Sequence, residues 1–100
     1  MALQINSDQG FIEVIGSLHG LNMNVLRTYL ESEFRGNDYL TLSLEKLKEL
    51  DHISTHELER FYLNAVKNNK VLSIVGRNHG PVSSVMENSK TDYILSYDRA

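Results

Sequence analysis

The stretch Phe11-Ile12-Glu13-Val14-Ile15-Gly16-Ser17-Leu18, followed after His19-Gly20 by Leu21 to Phe34, changes its hydrophobic period part-way. Over the first eight residues Phe11, Glu13 and Ile15 alternate with Ile12, Val14 and Gly16, a period of two that predicts a strand. From Leu21 onward Val25, Leu26, Tyr29, Leu30 and Phe34 recur at helical spacing, so one face of a helix is apolar. Asn22 or Asn24 suits the N-cap of that helix, and Gly36 in Arg35-Gly36-Asn37-Asp38 suits a left-handed stop. Tyr39 to Leu44 then returns to a period of two, with Leu40, Leu42 and Leu44 on one side. A strand, a helix and a strand in this order make a parallel pair with a right-handed crossover.

The pattern extends in both directions. Upstream, Ala2 to Asn6 reads as a strand, and Ser7-Asp8-Gln9-Gly10 is turn chemistry, so the chain opens on an antiparallel hairpin. Downstream, Ser54 with Glu57 three residues later has the form of a capping box, with Ile53 and Leu58 at the staple positions. This predicts a second helix whose stripe is Leu58, Phe61, Tyr62, Ala65 and Val66. Val71 to Gly76 is an apolar, β-branched run suited to a buried strand. Gly80-Pro81 opens a third helix with Val82, Val85 and Met86 inward, and Tyr93 to Tyr97 has the alternation of a last strand. The expected fold is α/β: a mixed β-sheet with an N-terminal antiparallel hairpin, in the order β-β-α-β-α-β-α-β. Periodicity does not say whether the helices cover one face of the sheet or both.

Composition narrows the function. The 100 residues, 41% of them hydrophobic and none of them Cys, are the size of one domain, spanning 1–100. Without Cys there is no disulfide scaffold and no thiol nucleophile. Thirteen acidic residues outnumber ten basic ones for a formal charge of −3, which argues against a nucleic-acid partner held by phosphate contacts. No run approaches the roughly 20 apolar residues of a membrane span, and no signal peptide is visible, so the expected location is the cytoplasm, without direct membrane insertion.

Three segments together carry a family resemblance. Val14-Ile15-Gly16-Ser17-Leu18 resembles a strand ending in Val-x-Gly-x-Leu. Leu42-Ser43-Leu44 with Leu47, Leu50 and Asp51 is similar to a third strand and its following loop, and Val71-Leu72-Ser73-Ile74-Val75-Gly76 to the next strand. In order and spacing the chain resembles the STAS family, the domain of bacterial anti-sigma-factor antagonists, over nearly its whole length. His19 stands where that family usually has an acidic residue. The family's Asp-Ser-Ser-Gly-Leu phosphorylation signature is not reproduced. In one register Asp51 keeps the acidic place, His52 and Ile53 replace the serines, and Ser54 replaces the glycine. In the other, Leu58 keeps the leucine, Ser54 takes the acidic place, Thr55 and His56 the serine places, and Glu57 the glycine.

The resemblance implies a non-enzymatic protein-interaction module in bacterial signalling and transcription regulation. Its expected partner is an anti-sigma factor or another kinase-like regulator, bound through the N-terminus of the second helix. The residues expected to bind are His52, Ile53, Ser54, Thr55, His56, Glu57 and Arg60. Ser54 is the first phosphorylation candidate and Thr55 the second, because a phosphate there would meet free backbone N–H groups and the positive end of the helix dipole; the alternative role for Ser54 is the cap itself. STAS-like proteins without the phosphosite also accompany membrane transporters, so an accessory subunit of a lipid transporter is an alternative. A second alternative is a metal-dependent hydrolase using His52, His56 and Glu57, with His19 or His79 as further ligands if loops converge; the plainer reading is surface histidines, with no metal and no cofactor. Gly76-Arg77-Asn78-His79-Gly80-Pro81 lacks a P-loop pattern, and no Gly-x-Ser-x-Gly elbow occurs.

Overall fold

The computed structural model describes residues 2–97. Its elements are β1 (Leu3–Asp8), β2 (Phe11–Leu18), α1 (Met23–Phe34), β3 (Tyr39–Leu50), α2 (His52–Lys67), β4 (Val71–Val75) and α3 (Gly80–Asn88). The sheet runs β1-β2-β3-β4. β1 pairs antiparallel with β2, Leu3 opposite Gly16 and Asp8 opposite Phe11. β3 is parallel to β2, and β4 is parallel to β3 with Tyr39 opposite Val71. This is the expected STAS-like α/β topology with its opening hairpin. The hairpin turn is made by Gln9 and Gly10, both with positive φ (50° and 84°), as a two-residue turn matching the twist of its strands requires.

Strand order decides the question of the faces. β2, β3 and β4 lie side by side in chain order, so two right-handed crossovers that step the same way put α1 and α2 on the same face. Burial agrees. Ile12, Val14, Leu40, Leu42, Leu44, Leu72 and Ile74 point into one core with Leu26, Leu30, Leu58, Val82 and Met86 from the three helices. The alternate residues Phe11, Tyr39 and Val71 remain well exposed on the other face.

Four local expectations are corrected. β3 does not end at Leu44 but continues to Leu50, with register shifts opposite Glu13/Ile15 and Gly16/Ser17 that accommodate extra residues in β3. Gly36 is not in a left-handed conformation; α1 ends on Arg35, a residue with helical φ and ψ. Val25 and Val66, expected in the buried stripes, are more than half exposed. The expected strand Tyr93–Tyr97 is a 3-10 turn, Asp92–Ile94, followed by a single bridge between Leu95 and Ile74, so the order ends β-α rather than β-α-β. Arg77 clasps this segment. Its Nη2 donates to the carbonyls of Asp92 (3.1 Å) and Leu95 (2.8 Å), which holds the segment coiled, and only Ser96 N–H continues onto Ile74 O (2.7 Å). The Tyr93 hydroxyl donates to Glu59 on α2, an interaction that holds this phenol above its ordinary pKa.

Candidate functional site

The candidate site is the start of α2 together with the loop between β2 and α1. Helix α2 begins one turn earlier than the capping box implies. Its N-cap is Asp51, in extended conformation, whose Oδ1 accepts the backbone N–H of Ser54 at 2.8 Å. Ser54 is therefore the third residue of the helix rather than its cap. Glu57 stands in the second turn and pairs with Arg60 (3.5 Å) instead of reaching back to the cap. No staple forms, because Ile53 points to solvent while Leu58 is buried.

Asp51 also fastens a second segment. Its Oδ2 accepts the Gly20 N–H at 3.0 Å, and its own N–H donates to Leu18 O at 3.2 Å. Asn22 closes the loop from the other side: Oδ1 accepts His19 N–H (2.9 Å) and Nδ2 donates to Ser17 O (3.0 Å). The Asn22 side chain thus braces the loop and makes no cap bond to α1. Burial alone would raise the Asp51 pKa. The Ser54 hydroxyl nearby, the N–H groups of Ser54 and Gly20, and the field of His19 outweigh it and bring the pKa below the usual carboxylate value. The Ser54 hydroxyl exerts this influence without meeting any partner at hydrogen-bond geometry.

The seven sequence-derived residues divide between two sides of the helix. Ser54 and Thr55 are fully buried, with Thr55 Oγ1 donating to His52 O (2.7 Å). His52, Ile53, His56 and Arg60 face outward, and Glu57 is half-buried. The His52 and His56 rings meet edge to face at 5.1 Å, and His56 Nδ1 lies 3.8 Å from Glu59 Oε1. His79 is committed elsewhere, its Nε2 2.6 Å from Leu47 O. Among the described residues no group of three or more His, Asp or Glu side chains comes together as a metal site, so the hydrolase alternative gains no support.

Two residues of the site escaped the sequence reading. Asp51 carried the signal of a strong N-cap two residues before an apolar side chain, but the Ser54–Glu57 pair competed with it. Helical spacing places Leu21 in the first helix. It lies one residue before the N-cap Asn22, outside the helix, and is 92% exposed. Its neighbour Gly20 sits against Ile53: a Cβ on Gly20 would stand 3.3 Å from Ile53 Cγ2. Leu21 and Ile53, itself 62% exposed, therefore flank one seam between the loop and the helix.

Comparison with family models finds no match, and comparison with curated proteins finds none either. Among solved structures, the fold is similar to the crystal structure of an anti-sigma factor antagonist from Mycobacterium paratuberculosis. The TM-score is 0.68 at 11% identity, over 94% of this chain and 81% of that one. At that identity the likeness is one of fold. No helix among the described residues is long and apolar enough to cross a membrane.

Proposed function

We propose that this chain is a non-enzymatic docking module of the cytoplasm that binds an anti-sigma factor, or a similar kinase-like regulator, through the start of α2 and the adjoining loop. Leu21 and Ile53 are its apolar anchors, and His52, His56, Glu57 and Arg60 form the polar rim. One observation carries the reading: two large aliphatic side chains stand in solvent on backbone locked by the Asp51 carboxylate. Exposed apolar side chains on a rigid frame lose little entropy on binding. The fold shared with an anti-sigma factor antagonist supports the class of partner. Binding would act by occupancy, keeping the partner from another client.

The burial of Ser54 and Thr55 changes how a phosphate switch would have to work. A kinase would reach either hydroxyl only after the first turn of α2 opened, and the phosphate would then keep it open. Control by charge would act through the order of the surface rather than by decorating it.

The test mixes the purified chain with the anti-sigma factor kinases of the same genome and measures complex formation by calorimetry. Leu21→Asp and Ile53→Asp are expected to abolish binding while leaving the fold intact, and Asn24→Asp, on the exposed surface of α1, to preserve it. Retention of binding by both Leu21→Asp and Ile53→Asp would remove the surface, and failure of every such kinase to bind would remove the partner class.

A further inference from the structure

Helices α1 and α2 follow parallel strands, and the loop that leads into α1 meets the start of α2 where Gly20 lies against Ile53. Below that contact the two helices leave an open groove of about 860 Å³. Its floor is apolar, with Leu30 and Phe34 from α1 and Phe61 and Ala65 from α2. Its walls are basic: Arg27 and Arg35 on one side, Arg60 and Lys67 on the other, with Lys70 at the far end. Among the residues that line it, Glu31 and Glu57 are the carboxylates beside these five cations, and Asp38 pairs with Lys70 from outside the lining, although the whole chain is acidic.

The cations differ in how free they are. Lys70 is spent on structure, donating to Phe34 O (3.1 Å) and Asp38 Oδ1 (3.0 Å). Arg60 is paired with Glu57 at 3.5 Å but remains largely exposed. Arg27, Arg35 and Lys67 take part in none of the ion pairs among the described residues, although Arg27 Nη2 donates to the Asn24 side-chain Oδ1. Arg35 and Lys67 also suit the negative ends of their helices, but Arg27 and Arg60 are mid-helix, where the dipole supplies no reason for a cation.

Shape separates a small anion from a longer partner. The cations do not converge on a point, and no charged group is buried in the floor. They run in two rows, Arg27 to Arg35 spanning about 12 Å of helix and Arg60 to Lys67 about 10 Å. An apolar floor between two such rows matches an amphipathic helix with one apolar face flanked by carboxylates. We propose that the groove between α1 and α2 is a docking cleft for an acidic amphipathic helix of a protein partner. Its aliphatic side chains would seat on Leu30, Phe34 and Phe61, and its carboxylates would meet Arg27, Arg35, Arg60 and Lys67. The groove shares Glu57 and Arg60 with the polar rim of the Leu21–Ile53 surface, so the inference rests on the docking reading in taking a protein as the partner and names that partner's chemistry.

The probe is a synthetic peptide of about four helical turns, Leu at helical spacing and Glu elsewhere, titrated into the 15N-labelled full chain. A counterpart with every Glu replaced by Lys is the control. The Glu peptide is expected to shift the amides of Leu30, Phe34, Phe61 and Ala65, and to bind more weakly as salt is raised. The Lys peptide is expected to shift none of them. Arg27→Glu with Arg60→Glu should weaken the Glu peptide by roughly tenfold or more. Glu31→Lys should tighten it, a gain that no loss of folding can imitate. Equal binding of both peptides, or shifts confined to the open face of the sheet, overturns the proposal. So do the same shifts with inorganic phosphate or anionic vesicles alone, which would make the groove a small-anion or lipid site. Leu21→Asp and Ile53→Asp should leave the peptide unaffected. Peptide binding without any anti-sigma partner would sink the proposed function and keep the groove, and the reverse result would sink the groove alone.

Discussion

The carboxylate of Asp51 accepts the backbone N–H of Gly20 at 3.0 Å while capping α2 through Ser54 N–H at 2.8 Å. One side chain therefore sets both the start of a helix and the position of the loop that faces it. An N-cap alone contributes about 1 kcal/mol, and a second charge-assisted bond adds to it. Asp51→Ala is expected to lower stability by about 2 kcal/mol, read as a shift in the urea midpoint, and to free the loop that carries Leu21.

The same carboxylate makes stability depend on pH with a definite sign. Its pKa is lower in the folded chain than in the unfolded one, so the unfolded state binds the proton more tightly. The stabilisation is complete above the ordinary Asp value of about 4 and is lost as pH falls through the lower folded value. Asp51→Asn lacks this dependence. The gap in urea midpoint between the wild type and Asp51→Asn should therefore be widest at neutral pH and close in acid. A gap that stays constant with pH would contradict the assignment.

Ser54 distinguishes a buried hydroxyl from a surface switch. Its side chain is fully buried and its Oγ meets no partner at hydrogen-bond geometry, so Ser54→Ala removes an unsatisfied polar group but also the hydroxyl that favours the Asp51 carboxylate, and the two effects are expected to leave stability within about 0.5 kcal/mol of the wild type. Ser54→Asp places a carboxylate in the same space beside Asp51. The helix dipole favours an anion there by less than about 1 kcal/mol, whereas an unpaired buried charge costs about 3 kcal/mol or more. Loss of stability in the Asp variant and not in the Ala variant, measured by urea unfolding, would confirm the packing. A stable Asp variant would mean that the first turn opens easily.

How much of this was legible follows from which rule acted alone. β2, α1, β4 and α3 could be read because their periods were unopposed by any second pattern. β3 was cut at Leu44 because Leu44, Leu47 and Leu50 recur every three residues, a spacing foreign to a flat strand. Register shifts against β2 rotate those leucines back into the core, and a bulge depends on the partner strand as much as on its own residues. The start of α2 was misplaced because two capping patterns overlapped, Asp51 to Ser54 and Ser54 to Glu57. The Asp51 cap is joined by a long-range bond to Gly20, which no local window contains. The outward positions of His52, Ile53, His56 and Arg60 follow from helical spacing once the core side is known. Leu21 was hidden by its place in a helix-like string.

Gly16 is a position where only glycine satisfies the backbone. Its φ is +98°, and a Cβ there would lie 2.0 Å from Ala2 O. Gly16→Ala therefore meets conformational strain and a steric overlap together. The overlap can be relieved by moving Ala2, just before β1, and peeling the start of β1 away from β2, but the strain stays. The expected cost is about 2 kcal/mol or more. Amide exchange should locate the damage, with protection lost first where Leu3 faces Gly16. Unchanged protection along β1 would show that the overlap is relieved some other way.

Arg77 replaces a fifth strand with a clasp. Besides its bonds to Asp92 O and Leu95 O, its guanidinium lies 3.9 Å from the Tyr97 ring centroid. Both carbonyls are thereby taken by a side chain instead of a ladder. A lysine cannot present two donors and a flat face at once, so Arg77→Lys should behave more like Arg77→Ala than like the wild type. Hydrogen bonds to a charged group are worth about 1.5–3 kcal/mol each before the remaining contacts adjust. A loss of about 2 kcal/mol is therefore expected in both variants. The sharper readout is local. Ser96 N–H, now bonded to Ile74 O at 2.7 Å, should exchange much faster in the variants, while amides of β2 and β3 keep their protection. If Ser96 instead became more protected, the segment would have paired with β4 as the fifth strand its alternation suggests, and Arg77 would be what prevents that pairing in the native chain.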